Sequence, residues 1–290
     1  MNENFLIIGL GEILWDLLPT GAQLGGAPAN FAYIASQLGN RGIVLSRVGD
    51  DEQGCAILDE LKSKNLSTEN IQIDAKNRTG IVNVSLNGDG QPRYEIVENA
   101  AWDFLELSSS WRKIAQIADV VCFGSLAQRN SVSRRTICEF VDLTENLRIF
   151  DVNLRQHFFS PTVLRKSLKL ANVVKLNHEE LPVIAEMFEI KAIDPFETAQ
   201  RLLEKFGLKL ICVTRGENGS ILVSKNEVSE HAGLKIEVKD TVGAGDAFTA
   251  ALAHGVLRGW DLNEINEFAN KTGAFVASNR GAMPNFPEGF

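Results

Sequence analysis

From Val120 onward the chain alternates between short apolar, β-prone runs and segments of helical spacing, and no other feature of the sequence constrains its fold so strongly. VVCFGS gives way to a helical pattern from Val132 to Leu143, RIFDVN to a helix opening after Pro161, and NVVKLN to helical segments on either side of Pro195. The N-terminal region has the same order. Phe5 to Gly9 reads as a buried strand, Ala27 to Leu38 as a helix, Gly42 to Val48 as a strand, and Glu52 to Lys64 as a helix carrying Ile57, Leu58 and Leu61. Continuous apolar strands separated by helices predict an α/β fold with a parallel sheet covered on both faces and ligands gathered at the carboxyl ends of its strands.

Two regions depart from this order. Between Thr79 and Val97 the pattern turns to short β-prone pieces, with Asn87-Gly88-Asp89-Gly90 suited to the positive φ angles of a hairpin turn. This excursion reads as a small lid. Lys209 to Thr214 and Ser220 to Ser224 look like two strands joined by the turn Gly216-Glu217-Asn218-Gly219, before helices over Gly245 to Leu257 and Asn263 to Ala277. No repeat, low-complexity tract or linker marks a second unit, and 290 residues suffice for one large core. The expectation is one domain over 1–290, with lid strands from roughly 12–24 and 79–100.

Charge narrows the ligands. The net charge is -8, which gives no basic footprint for nucleic acid and no long-range attraction to an anion, so a nucleotide must be held locally by backbone amides, a few cations and a metal. No apolar run approaches the roughly 20 residues that span a bilayer, so no membrane association is expected. The N-terminus is acidic before its apolar stretch and lacks a small-residue cleavage site, which argues against a signal peptide and predicts a cytoplasmic protein. Cys55, Cys122, Cys138 and Cys212 are scattered with no CxxC pair, against a zinc site or disulfide framework. They read as small buried apolar residues.

The strongest local signal is Asp240-Thr241-Val242-Gly243-Ala244-Gly245-Asp246, a glycine-rich turn opening directly into a helix. Small residues let the backbone approach a phosphate, and the helix terminus adds positive potential, so Gly243, Ala244 and Gly245 suit charge developing on a transferring phosphoryl group. Asp246 then stands where an attacking alcohol would lose its proton, with the helix end expected to lower its pKa. A plain helix cap is the competing reading of Gly245-Asp246. A second cluster, Gly25-Gly26-Ala27-Pro28-Ala29-Asn30, also opens a helix: Pro28 suits the first turn, and the Asn30 amide can bond two hydroxyls or simply satisfy the backbone.

Together GGAPANFA and DTVGAGDAF resemble the two signature regions of the ribokinase or PfkB family of carbohydrate kinases, and within it the chain looks most like bacterial fructokinase-like members. The resemblance covers nearly the whole chain, from Gly11-Glu12-Ile13-Leu14-Trp15-Asp16 to Arg280-Gly281-Ala282-Met283-Pro284. It implies a ribokinase-like three-layer fold, with a mainly parallel central sheet flanked by helices and a small β-stranded lid. It also implies transfer of the ATP γ-phosphate to a sugar hydroxyl, with Asp246 as base, Gly243-Ala244-Gly245 as anion hole, and Asp16, Gly26 and Asn30 at the sugar.

By the same resemblance, Asn177 and Glu180 in KLNHEE match an Asn-x-x-Glu motif that organises Mg2+ and phosphate through water; a helix-capping pair is the alternative. Arg155 in DVNLR matches a position facing the sugar or the phosphate it receives, or is an ordinary surface arginine. Thr214, Gly216 and Gly219 match the segment bordering ATP, or form a plain turn. Asp240, Val242, Val276, Asn279, Gly281 and Asn285 match positions where some relatives bind K+, although serine is common at the last. Asn99 and Ala101 match the stretch following the lid into the sugar pocket. Trp102 could cover a sugar face or lie in the core.

The implied acceptor is fructose, with ribose, 2-keto-3-deoxygluconate, tagatose or a nucleoside as alternatives and a non-catalytic sugar or nucleotide sensor as a distant one. Relatives that dimerise through lid strands imply a homodimer. A dehydrogenase is weaker, since Gly9-Leu10-Gly11 lacks the third glycine of a dinucleotide fingerprint and Pro19 interrupts the expected helix. The sequence has no P-loop, HExxH or GxSxG pattern.

Overall fold

The computed structural model describes residues 4–18, 21–86, 92–191 and 193–290. Its first half runs β1 (Leu6–Leu10), β2 (Leu14–Leu18), β3 (Gly21–Gly25), α1 (Ala27–Gln37), β4 (Arg41–Gly49), α2 (Glu52–Ser63), β5 (Ile71–Asp74), β6 (Gly80–Leu86), β7 (Pro92–Ile96), α3 (Ser109–Ile117) and β8 (Val120–Gly124). There follow α4 (Ser131–Leu143), β9 (Leu147–Asp151), α5 (Pro161–Leu170), β10 (Val173–Asn177), α6 (Glu180–Met187), α7 (Pro195–Phe206) and β11 (Leu210–Thr214). The chain ends with β12 (Ser220–Ser224), β13 (Val228–His231), α8 (Ala244–Leu257) and α9 (Leu262–Ala277). The expected turn Asn87-Gly88-Asp89-Gly90 lies outside the described residues.

Nine strands form one sheet in the order β13-β12-β11-β10-β9-β8-β1-β4-β5. From β11 to β5 every neighbouring pair is parallel, while β12 and β13 add an antiparallel edge. The period of two along β1 shows how both faces are used. Leu6, Ile8 and Leu10 enter the core that also holds residues of α3 to α7, whereas Ile7 enters the one shared by α1, α2, α8 and α9. Helices thus cover both faces, which makes the expected three layers. A second sheet, β3-β2-β6-β7, is built from the segments anticipated for a lid.

The carboxyl ends of β1, β9, β10 and β11 deliver Gly11-Glu12, Asn153 to Arg155, Asn177 and Thr214 to one edge of the sheet. Helices α1 and α8 pack against each other beside that edge. Asp194 caps α7 through the Glu197 N–H at 2.8 Å, and Asp51 caps α2 through Gly54 at 2.8 Å. Neither α1 nor α8 has a side-chain cap from its own preceding residue; in both that residue is a glycine with positive φ, 115° at Gly26 and 79° at Gly243. Cys122 and Cys212 are buried as expected, but Cys138 is half-buried and Cys55 is exposed. Among the described residues no helix is long and apolar enough to cross a membrane.

Candidate active site

The glycine turn holds its shape through contacts that tolerate no side chain. A Cβ on Gly243 would lie 2.4 Å from the Ala282 Cβ and 2.7 Å from its Cα, so the C-terminal segment packs flush against the turn. Ala244 donates its N–H to the Thr241 carbonyl at 3.3 Å. Gly245 and Asp246 follow in the first turn of α8, where amides lack intrahelical acceptors and point outward. The Ala244 amide is thus engaged within the turn, and the amides that follow it in the first turn of α8 are the ones left facing outward.

Asp246 is half-buried, and Asn30 donates its side-chain amide to Asp246 Oδ2 at 2.7 Å. One hydrogen bond thus joins the two signature regions. Burial raises the Asp246 pKa to about 6; the negative charge of Asp151 adds to this, while the Asn30 bond, Lys175 and Arg155 oppose it. The shift is opposite to the lowering expected from the helix terminus, because desolvation outweighs the dipole. The correction favours base chemistry: a carboxylate with a pKa of about 6 is still ionised at neutral pH and holds a proton better than an ordinary aspartate.

Two further carboxyls share this neighbourhood. Asp16 on β2 is raised to about 6 by burial, against the attraction of Arg155, and the absence of a side chain at Gly25 gives its Oδ2 room. Glu12, which sequence reasoning did not single out, is 3% exposed and is raised to about 7 by burial, with the charge of Asp246 adding and Arg155 opposing. Arg155 therefore acts electrostatically on Glu12, Asp16 and Asp246 alike. Gly26 is required where it stands, since a Cβ there would meet the Glu12 carbonyl at 2.6 Å.

Beneath the turn lies a buried ion pair that the sequence also left unremarked. Lys175 Nζ bonds both oxygens of Asp151 at 3.1 Å, and Thr249 Oγ1 on α8 donates to Asp151 Oδ2 at 3.0 Å. The Lys175 ammonium would be 2.9 Å from a Cβ on Gly245, so a second positive group lies close to the glycine turn. Its pKa, raised to about 12 by Asp151, Glu180 and Asp246 against the cost of burial, keeps it charged.

Asn177 Oδ1 accepts the N–H groups of Glu179 and Glu180 at 2.9 and 2.8 Å, while Glu180 Oε2 accepts the Asn177 N–H at 2.9 Å. The capping alternative is thus realised. Glu180 Oε1 also accepts the Leu154 N–H at 2.7 Å, tying the loop that bears Arg155 to the start of α6. With both oxygens bonded to backbone and the residue 6% exposed, Glu180 fits a metal held through water better than direct ligation. Among the described residues no group of three His, Cys, Asp or Glu side chains could cage a metal. A divalent ion here would have to bring nucleotide phosphates and water as ligands.

Thr214 Oγ1 reaches the Leu176 carbonyl at 3.5 Å, and the turn after it is a single 3-10 turn over Gly216–Asn218. Gly219 has φ 76°, and a Cβ there would collide with the His231 carbonyl at 2.1 Å. Asp240 accepts the N–H groups of Val242 and Gly281 at 3.0 and 3.1 Å, which sets the two ends of the candidate potassium loop side by side. Within that loop the Val276 carbonyl accepts the Asn279 N–H at 2.9 Å, the Asn279 side chain donates to Phe275, and Asn285 Oδ1 accepts the Tyr33 hydroxyl at 2.8 Å.

Ala101 and Trp102 are fully buried, and the Arg129 guanidinium lies 4.0 Å from the Trp102 ring centroid; both residues are core. Asn99, with φ 59°, lines a cavity of about 280 Å³ with Arg129, Asn130, Arg134, His157 and Ser160. The structure thus gathers Asp246, the glycine turn, Asn30, Gly26, Asp16 and Arg155, and leaves Ala101 inaccessible to a ligand.

A carboxylate of raised pKa that accepts a side-chain amide beside a glycine turn, at the carboxyl ends of a parallel sheet, suits transfer of a phosphoryl group to an alcohol; the chain is a phosphotransferase of that class. The profile of pfkB family carbohydrate kinases matches residues 20–288, and the chain belongs to that family. An uncharacterized sugar kinase of Pyrococcus horikoshii, solved in complex with ATP, superposes with a TM-score of 0.81 at 31% identity, covering 96% of this chain and 94% of that one. Fructokinase-2 of Solanum lycopersicum is 28% identical, with 99% of this chain and 94% of that one covered. A fructokinase of Vibrio cholerae, solved with fructose, ADP and calcium, has a TM-score of 0.82 at 25% identity, covering 99% and 97%.

Proposed function

We propose that this protein is an ATP-dependent fructokinase in which Asp246 is the general base. The observation that carries the reading is the 2.7 Å bond from Asn30 to Asp246, which sets a hydroxyl-binding amide and a proton acceptor at the mouth of the glycine turn. The acceptor hydroxyl gives its proton to Asp246 and its oxygen bonds to the γ-phosphorus, while the bond to the ADP oxygen breaks. The amides at 243–245 hold the charge that develops on the phosphoryl oxygens. Asp16, Gly26, Asn30 and Arg155 hold the sugar, whereas Thr214, Gly216 and Gly219 border the nucleotide. Asn177 and Glu180 would hold Mg2+ through water, and the ion would neutralise charge on the ATP phosphates.

The loop of Asp240, Val242, Val276, Asn279, Gly281 and Asn285 is the place for K+, and residues 1–290 act as one kinase domain in the cytoplasm. Fructose is favoured because the fructokinases of tomato and Vibrio cholerae match over almost their full lengths. ADP production with MgATP should rise strongly with fructose and only weakly with ribose, 2-keto-3-deoxygluconate, tagatose or nucleosides. It should stay low with no sugar, because the β3-β2-β6-β7 sheet closes as a lid that excludes water. A better response to another acceptor replaces fructose within the same chemistry, whereas silence across the panel favours a sensor.

The same sheet ends in strands with unpaired edges, β3 and β7, which suit pairing with a second copy. Light scattering is expected to give the mass of a dimer, and a monomeric mass at working concentration would remove this assembly.

A further inference from the structure

The cavity of about 280 Å³ has no part in the transfer step as described, and none of Asp16, Gly26, Asn30, Arg155 or Asp246 lines it. Its walls come from the chain leaving β7, from the amino end of α4 and from the amino end of α5. Arg129 lines it with a side chain only 6% exposed. Nε and Nη2 of that guanidinium donate to Asp103 at 2.8 and 2.7 Å, and Nη2 also donates to the Val97 carbonyl at 2.6 Å. The rings of Trp102 and Phe158 pack against it, with centroids 4.0 and 4.7 Å from its carbon. Nη1 is buried with no hydrogen-bond partner. Asp103 cannot supply one, since its two oxygens already take Nε, Nη2 and the Ala100 N–H. A buried donor on a charged group is costly to leave unmet, and the open side left to this one is the cavity that its side chain lines.

The two helices at the cavity break the usual charge rule. A helix amino end favours acidic residues and disfavours cations, yet neither α4 nor α5 has an acidic residue in its first turn. Instead α4 places Arg134 there, half-buried, and among the described residues that side chain has no hydrogen-bond or ion-pair partner. Asn130 and Ser160 each accept one backbone N–H of their helix, at Val132 and Val163, and the neighbouring first-turn amides have no intrahelical acceptor. The opposing charge is Glu98, which is exposed, so water and salt screen it. The unmet groups around the cavity are therefore mostly donors, and two of them are guanidinium groups.

We infer that this cavity binds a small oxyanion, a phosphate or carboxylate group, between Arg129 Nη1, Arg134 and the amino ends of α4 and α5. A guanidinium fork and a helix amino end both match the planar or tetrahedral oxygens of such a group. His157 at the same cavity adds a further donor. The occupant would touch the chain that leaves the second sheet and the loop that carries Arg155, since Phe158 and Ser160 also line the cavity. The inference does not depend on which residue is the base or on which sugar is the acceptor.

The test is a calorimetric titration with inorganic phosphate, the transfer site being filled beforehand with Mg2+ and a non-hydrolysable ATP analogue. Saturable binding is expected, and Arg134→Gln should weaken it about tenfold or more, the worth of one charge-assisted contact. Absence of saturable binding, or equal affinity in an Arg134→Gln protein of wild-type melting temperature, overturns the inference. A second measurement needs no variant of uncertain folding: the Arg129 Nε–H resonance of the wild-type protein should shift along the same isotherm, and a resonance that stays in place also overturns it. Two sources of such a group are separated by repeating the titration with the acceptor that supports turnover at saturation. Unchanged affinity makes the occupant a free anion, whereas competition makes it the anionic end of an acidic sugar.

Discussion

Asp246→Asn is expected to bind sugar and MgATP as the wild-type protein does while turning over about 1,000-fold more slowly. General-base assistance is typically worth about 10²–10⁴ in rate. The amide preserves the size of the side chain but cannot take the proton of the acceptor. Single-turnover and equilibrium-binding measurements separate the two effects; turnover within tenfold of wild type, with binding intact, removes Asp246 from the base role.

The same variant should melt at a higher temperature. The folded-state pKa of Asp246 is raised from 3.8 to about 6, so above its ordinary value the folded protein carries a buried charge that the unfolded chain holds in water. Folded protein therefore binds more protons than unfolded protein between about pH 4 and 6. This group's contribution to stability falls as pH rises through that window. The neutral amide escapes the penalty, so its advantage over wild type in melting temperature should open between pH 4 and 6, stay constant above, and vanish below 4. An advantage independent of pH would mean that Asp246 is not held in a desolvated environment.

Much of this was legible in residue order. Alternating strand and helix patterns announced the parallel sheet, because strands buried on both faces must be apolar throughout, and the glycine turns marked where α1 and α8 open. The less legible elements are short or half-exposed. β13 is only VSEH on a sheet edge, and α3 buries little beyond Trp111 and Ala115, so neither carries much of a pattern. Lys175, Asp151 and Glu12 were quoted within motifs, but their pairing is a tertiary fact: Lys175 and Asp151 come from adjacent strands, and Glu12 meets Gly26 across a whole hairpin. The direction of the Asp246 shift was misjudged for the same reason. A helix terminus can be seen in sequence, whereas burial by segments distant in the chain cannot.

Gly9→Ala should have the largest effect on stability, although Gly9 touches no ligand. Gly9 lies on β1 between Val44 of β4 and Cys122 of β8, in the interior of the sheet. A Cβ there would sit 2.0 Å from the Pro28 carbonyl oxygen and 2.8 Å from its carbon, both in the backbone of α1. No side chain can swing away. A Cβ on Gly42 of β4 would likewise lie 2.0 Å from the Ala32 carbonyl oxygen, four residues further along α1 and so on the same face of the helix. Two glycines on adjacent strands thus let α1 lie with its backbone flush against the sheet. One methyl group at either must lift the helix by an ångström or more, a form of overpacking that costs roughly 3 kcal/mol. Asn30 moves with α1, and its 2.7 Å bond to Asp246 is lost. Displacement of this size is worth about 100-fold in rate when it misplaces a reacting group. Gly9→Ala is therefore expected to melt several degrees lower and, in whatever fraction folds, to lose about 100-fold in kcat/KM. A variant with the melting temperature and kcat/KM of wild type would mean that α1 is not seated on β1 in solution, and that the register between Asn30 and Asp246 is set by other contacts.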